Sequence, residues 1–257
     1  MREIILKGAK NTRDFGGITN SEGKTVKSGM FIRGASLNKI TKKDTELLFD
    51  KHRIHTVIDL RTEKEIAEKP DRIPPDVTYY HIPVVTDRML GVTFEKDQNK
   101  NYQVPDLRNL YANIVTSETS IQGLKKVFEI ICDSEDGGIL WHCTQGKDRC
   151  GIVSALFLTL LDVDRHTIYR DYLMTNHYSR KRATRYYRLI ITVKRDKPLA
   201  RKIYKVFIAH RCYLRSAFDA ISEKYGSVDA FIENELGITA EMKARIKARC
   251  LKDQTNK

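Results

Sequence analysis

The sequence predicts an α/β fold: a central, mostly parallel sheet flanked by helices, with a helical C-terminal region. Three observations carry this. Apolar runs of strand length alternate with segments of helical periodicity as far as Asp164. The run Ile139-Leu140-Trp141-His142 suits a short buried strand. Beyond Asp164 the periodicity is helical to the end of the chain.

The elements follow in order. Asn20-Ser21-Glu22-Gly23 reads as a turn between two short strands. Met30 to Arg33 is a strand. Thr41 to Lys51 reads as a helix capped by Thr41, with Leu47 and Leu48 inward. His55 to Leu60 is a buried strand, and Thr62 to Lys69 a short charged helix stopped by Pro70, Pro74 and Pro75. Val77 to Val84 is the next strand. Leu107 to Val115 and Ser120 to Ile131 are helical by periodicity, and Gly137-Gly138 is a turn into the 139–142 strand. Cys143 to Arg149 forms a loop, and Cys150 to Leu161 an apolar helix. Gly226 and Gly237 punctuate the last helices.

Hydrophobic residues at 41% and charged residues at 31% place the chain among soluble globular proteins. No apolar run reaches membrane-spanning length, and the opening Met1-Arg2-Glu3-Ile4-Ile5-Leu6-Lys7 lacks the apolar stretch of a leader. A cytoplasmic protein is expected, with leaderless export left open. The five cysteines, 132, 143, 150, 212 and 250, are odd in number and show no framework, so no disulfide scaffold is expected. Nothing has zinc-ligand spacing, and neither metal nor cofactor is expected.

The formal charge of +13 is local. Residues 176–215 hold thirteen Lys and Arg against one acidic residue, Asp196, which leaves 33 basic and 32 acidic residues elsewhere. The expectation is a single domain, 1–257, with 176–215 as a basic helical insertion or lid that shields a site and steers anions toward it.

The chemistry concentrates at Cys143-Thr144-Gln145-Gly146-Lys147-Asp148-Arg149. A glycine-containing loop between a buried strand and a buried helix can turn its N–H groups inward, and a helix N-terminus adds to that anion cradle. Arg149 would offer a guanidinium fork to two phosphate oxygens. The same field lowers the thiol pKa of Cys143, and a thiolate facing a phosphate cradle is a phosphoryl nucleophile.

The segment His142-Cys143-x-x-Gly146-Lys147-Asp148-Arg149-x-Gly151 resembles the signature of the bacterial atypical tyrosine and dual-specificity protein phosphatases, the group of the mycobacterial secreted phosphatase B and its Listeria relative. Asn11-Thr12-Arg13-Asp14-Phe15-Gly16-Gly17, Phe31-Ile32-Arg33-Gly34-Ala35-Ser36-Leu37, Ile58-Asp59-Leu60-Arg61-x-x-x-Glu65, Asp171-Tyr172-Leu173-Met174-Thr175-Asn176 and Tyr225-Gly226-Ser227 resemble its other boxes. The resemblance implies a cysteine-phosphatase fold and a metal-free, two-step mechanism through a phosphocysteine. The substrates it implies are phosphotyrosine, with phosphoserine, phosphothreonine or phosphoinositides also open. Cys143 would attack, Arg149 and the loop at Thr144, Gln145 and Gly146 would hold the phosphate, and Asp148 would be the general acid. Asp87, after the strand ending near Val84, is the alternative acid. Lys147 resembles the loop lysine of phosphatases that accept phosphoinositides. Asp14 with Arg13, and Arg61 with Asp59, are expected beside the loop, at the substrate or ordering the backbone by charge-assisted bonds.

One position departs from the family. Cys150 stands where a Thr or Ser usually follows the arginine. A thiol donates more weakly than a hydroxyl, so the second step would be slower. Cys150 would also lie close enough to resolve an oxidised Cys143 as a disulfide. A sulfur- or arsenate-transfer enzyme, a phosphate-binding module without activity and a nucleic-acid binder are the rival classes. The loops of the first lack this Gly-Lys-Asp-Arg run, the intact Cys143, Asp148 and Arg149 oppose the second, and the third rests only on the basic block. A phosphoprotein or phosphoinositide partner is expected, and no nucleic acid.

Overall fold

The computed structural model describes residues 2–90, 105–134 and 138–253. Gly137, read as half of a turn, lies outside them. A six-stranded sheet forms the centre, in the order β1 (Arg2–Glu3), β2 (Arg13–Asp14), β4 (Phe31–Ala35), β7 (Gly138–Cys143), β5 (Ile54–Asp59), β6 (Thr78–His81). The last four strands run parallel, and β1 and β2 add an antiparallel edge. A second, two-stranded sheet pairs β3 (Thr25–Val26) with β8 (Leu251–Lys252).

All six residues of β7 are buried, as befits a strand covered on both faces. One face packs the aromatic group Phe15, Phe31, Trp141 and Phe157, with Phe15 on Trp141 at 5.1 Å between ring centres and Phe31 on Phe157 at 4.5 Å. The other face packs Ile32, Val57 and Leu140 against Leu48 and Phe49. Helix α5 (Asp148–Leu160) leaves β7 through the Cys143 loop and is buried nearly all round, as its unbroken apolar sequence requires.

The helix read over 41–51 is present and capped by Thr41, α-helical over α1 (Lys42–Thr45) and widening into π-type turns over Glu46–Lys51; Leu48 and Phe49 are buried and Leu47 half-buried. Two expectations are corrected. β6 stops at His81, well short of Val84, and Pro83, which lacks an N–H for the ladder, falls in the expected remainder. The C-terminus is not helical throughout, because the chain after α10 (Ala240–Cys250) pairs Leu251 with Val26.

The remaining helices are α2 (Glu63–Glu68), α3 (Leu107–Thr116), α4 (Glu118–Asp133), α6 (Arg165–Lys194), α7 (Lys197–Phe207), α8 (Arg211–Tyr225) and α9 (Val228–Ala230), the last continued by a π-turn over Phe231–Glu235. Helix α6, at 30 residues, is by far the longest, and with α7 it forms the hairpin that carries the basic block.

Candidate active site

The site begins with an uncapped helix. Each α-helix of the described residues starts on a side-chain cap except α5: Thr41, Thr62, Asp106, Ser117, Asp164, Asp196, His210, Ser227 and Thr239 serve the others. The N-cap of α5 is Lys147, whose side chain caps nothing. The first N–H groups of α5 are therefore left to an outside acceptor. Helix α5 begins at Asp148, two residues earlier than its periodicity predicts, so Asp148 and Arg149 stand in its first turn.

The loop is held by its carbonyls. Asn11 Nδ2 donates to Gln145 O at 3.0 Å and to Gly146 O at 2.9 Å, and Arg33 Nη2 donates to Gly146 O at 2.9 Å. In a trans peptide C=O and N–H point opposite ways, so fixing these carbonyls outward turns the Gly146 and Lys147 N–H groups inward. Gly146 has φ +63°, and a Cβ there would meet Gly34 backbone at 2.6 Å, so only glycine fits. Behind the loop, Asp171 on α6 binds Arg13 Nε at 2.9 Å and Arg33 Nη1 at 2.7 Å, and Arg13 also bonds Asn11 Oδ1. These side chains are buried, so the loop's shape is set by a paired ionic network within the core.

Cys143 ends β7 and is 3% exposed. Its thiol is pulled down to about 5, chiefly by the neighbouring Cys150 side chain; burial opposes, and the charge of Arg149 and the Cys150 N–H assist. Burial together with Cys143 pushes the Cys150 thiol far up, so it stays protonated, with its Sγ 3.7 Å from Gly34 O and 3.9 Å from Trp141 O. Both cysteines are free.

Arg149 is 7% exposed at its side chain and is clasped by Glu65 of α2, with Nη2 to Oε1 at 2.9 Å and Nη1 to Oε2. It also donates to Leu60 O at 3.3 Å and Thr144 Oγ1 at 3.2 Å. Burial raises the Glu65 carboxyl, but the Arg149 bonds outweigh it and hold that group at about 2. Thr144 donates to Glu65 as well.

Asp148 Oδ1 accepts from Tyr111 Oη at 2.8 Å and pairs with Lys147 Nζ at 3.2 Å. Tyr111 in turn meets Tyr172 Oη at 2.7 Å. Asp87 accepts from Thr62 Oγ1 at 2.6 Å, at the cap of α2.

The structure places three expected contacts elsewhere. Lys147 does not face the anion cradle: its side chain is 1% exposed and donates to Val206 O and Ile208 O at the end of α7. Asp14 accepts from Gly16 N and Gly29 N, both at 2.8 Å, and holds a turn. Arg61 is buried between Asp59, at 2.7 Å, and Asp71, at 2.8 Å. His142 joins that group, with Nε2 3.0 Å from Asp71 Oδ2 in an ion pair without hydrogen-bond alignment. Burial would lower the His142 pKa, but Asp71 and Asp59 raise it. Asp59, Asp71 and His142 have metal-ligand geometry, yet the Arg61 guanidinium sits on both carboxylates and supplies the cation there. The His142 ring thus sits against Asp59 and Asp71.

Glu65, Asn11, Arg33, Asp171 and Tyr111 were not singled out as site residues by the sequence. Glu65 was visible as the last residue of a Thr-x-x-Glu capping box, which it also completes. Asn11 and Asp171 stood inside the resembling boxes, while Tyr111 carried no local signal.

A buried free cysteine at the end of a central parallel strand, backed by an uncapped helix and an arginine, defines a cysteine-phosphatase fold and loop. The pattern of the tyrosine phosphatase family matches residues 4–252, and the chain belongs to that family. It is 31% identical over 154 residues to a tyrosine-protein phosphatase of Nostoc commune, covering 60% of this chain and 50% of that protein. The chain thus spans half the length of that relative. It is 24% identical to the triple specificity protein phosphatase PtpB of Mycobacterium tuberculosis over 89% of this chain and 92% of that one. Among solved structures, the core catalytic domain of the PP-IP phosphatase SIW14 from S. cerevisiae aligns at TM-score 0.38 and 13% identity, over 79% of this chain and 88% of that one.

Proposed function

We propose that the protein hydrolyses phosphate monoesters, phosphotyrosine first, through a phosphocysteine. The observation that carries this is the Cys143 thiol held at about 5 beside the unclaimed amides of α5. A thiol lowered in this way is predominantly thiolate at neutral pH.

The thiolate attacks phosphorus and the bond to the leaving oxygen breaks. Arg149 and the inward amides meet the charge that builds on the equatorial oxygens. Asp148 delivers a proton to the leaving oxygen. Water then attacks the phosphocysteine, Asp148 takes its proton, and Cys150 donates to the departing sulfur. Asp87 is tied to the α2 cap and is the weaker candidate for the acid.

The basic hairpin reads as the lid over this site. Two carbonyls at the end of α7 hold Lys147, and Tyr178, Lys181 and Arg182 of α6 line a cavity of about 650 Å³ beside the loop. That cavity also carries Lys7, Lys10, Lys39 and Lys69, reaches Thr144 and Gln145, and has no carboxylate in its wall. Six cations there favour a second substrate class, a phosphoinositide whose remaining phosphates enter the cavity while one faces Cys143.

The test is vanadate-sensitive hydrolysis of an aryl phosphate, lost in Cys143→Ser with substrate binding kept. Comparing phosphotyrosine peptides with phosphoinositides ranks the two classes. Activity surviving in Cys143→Ser overturns the mechanism.

A further inference from the structure

The outer part of the α6–α7 hairpin leaves the body of the protein. Ala183 is the last buried residue of α6 and Ala200 the only one of α7, and nothing from Thr184 to Leu199 is buried. Leu189 is 53% exposed and Val193 70% exposed. They lie four residues apart, on one face of the helix. Near them in the chain are Arg185, Arg188, Lys194, Arg195 and Lys197. The one acid, Asp196, is spent capping α7 through Leu199 N at 2.8 Å. An open notch of about 430 Å³ on α6 is lined by Arg180, Lys181, Thr184, Arg185 and Arg188.

We propose that this tip is a docking surface for an anionic lipid bilayer. Leu189 and Val193 would enter the headgroup boundary, the flanking cations would meet lipid phosphates and carboxylates, and the notch would hold one headgroup. Exposed aliphatic side chains rimmed by cations are what an anionic interface selects, since burial of the first and attraction of the second add. A single-stranded nucleic acid would ask for free aromatic faces. The hairpin's aromatics are engaged within it: Tyr186 stacks on Phe207 at 4.9 Å, and Tyr187 meets Tyr204 edge-on at 6.2 Å. The inference rests on the tip alone and is independent of the chemistry assigned to Cys143. No helix among the described residues is long and apolar enough to cross a membrane, so this contact would be peripheral.

The experiment is sedimentation of the full chain with phosphatidylcholine vesicles, with and without phosphatidylserine, at low and high salt. The proposal expects binding only where phosphatidylserine is present, weakening as salt rises. Leu189→Asp/Val193→Asp and, separately, Arg188→Glu/Lys194→Glu should each reduce binding roughly tenfold or more. Far-ultraviolet circular dichroism and the thermal unfolding midpoint should be unchanged in both, which reports that they fold. No binding to phosphatidylserine vesicles at low salt overturns the proposal. So does binding that both variants retain. So does tighter binding to RNA than to the vesicles, unaffected by Leu189→Asp/Val193→Asp.

Discussion

Glu65 grips Arg149 with both carboxylate oxygens, so the guanidinium beside Cys143 is fixed before any phosphate arrives. The same Glu65 closes the capping box of α2 through Thr62 N at 3.0 Å, so one side chain ties the α2 entrance to the loop. Glu65→Ala should lower kcat/KM by about a hundredfold, the scale of losing a prearranged charge stabiliser, while Glu65→Gln keeps part of the orientation and loses less. Steady-state kinetics on an aryl phosphate checks this.

The Glu65 carboxyl also carries a stability signature. Its folded pKa of about 2 lies below the unfolded value, so its contribution is present above the ordinary glutamate range and is lost as pH falls from there toward 2. Denaturant titrations from neutral to acid pH should show wild type losing stability more steeply over that window than Glu65→Gln.

Cys150 is predicted to set the acid limb of activity. Cys143 must be ionised to attack, so kcat/KM should rise as pH passes upward through about 5, the Cys143 value. Cys150→Ala removes the largest lowering influence on that thiol, so the limb should move to higher pH. Cys150→Thr supplies a stronger donor and should speed breakdown of the phosphoenzyme. Inactivation by iodoacetamide against pH reads the first effect, and burst kinetics the second.

The mutual influence of the Cys143 and Cys150 thiols predicts a redox product. Peroxide oxidises the Cys143 thiolate to a sulfenic acid, and the Cys150 thiol then attacks that sulfur and expels water. Mass spectrometry after mild peroxide treatment should find a Cys143–Cys150 crosslink. Over-oxidised Cys143 without the crosslink would remove the idea.

Asp148 and Asp87 are separable by leaving group. Asp148→Asn should cost ~10²–10³-fold on alkyl and weakly activated aryl phosphates, and much less on a good leaving group that needs no proton. Asp87→Asn should change little beyond the cap of α2. A reversed ranking would move the acid to Asp87.

Sequence made the loop legible because its chemistry is local: Cys143, Gly146, Asp148 and Arg149 fall within seven residues of a strand-to-helix junction. The parallel sheet was legible for the same reason, since an apolar β7 and an apolar α5 follow one another. What shapes the loop was less so, because it arrives from afar. Asn11 reaches across 134 residues to Gln145 and Tyr111 across 37 to Asp148, contacts no periodicity encodes. Lys147 misled because its target is a pair of main-chain carbonyls on α7, and sequence does not show where a helix ends in space. Asp14 and Arg61 sat in the right boxes, but their charges are used to build turns and brace β7.

The most direct measurement is rapid quenching of the enzyme with a labelled aryl phosphate, followed by peptide mapping. A thiolate nucleophile predicts phosphate on the peptide holding Cys143, in Asp148→Asn as in wild type, and none in Cys143→Ser. Label on another residue, or turnover in Cys143→Ser, would contradict it.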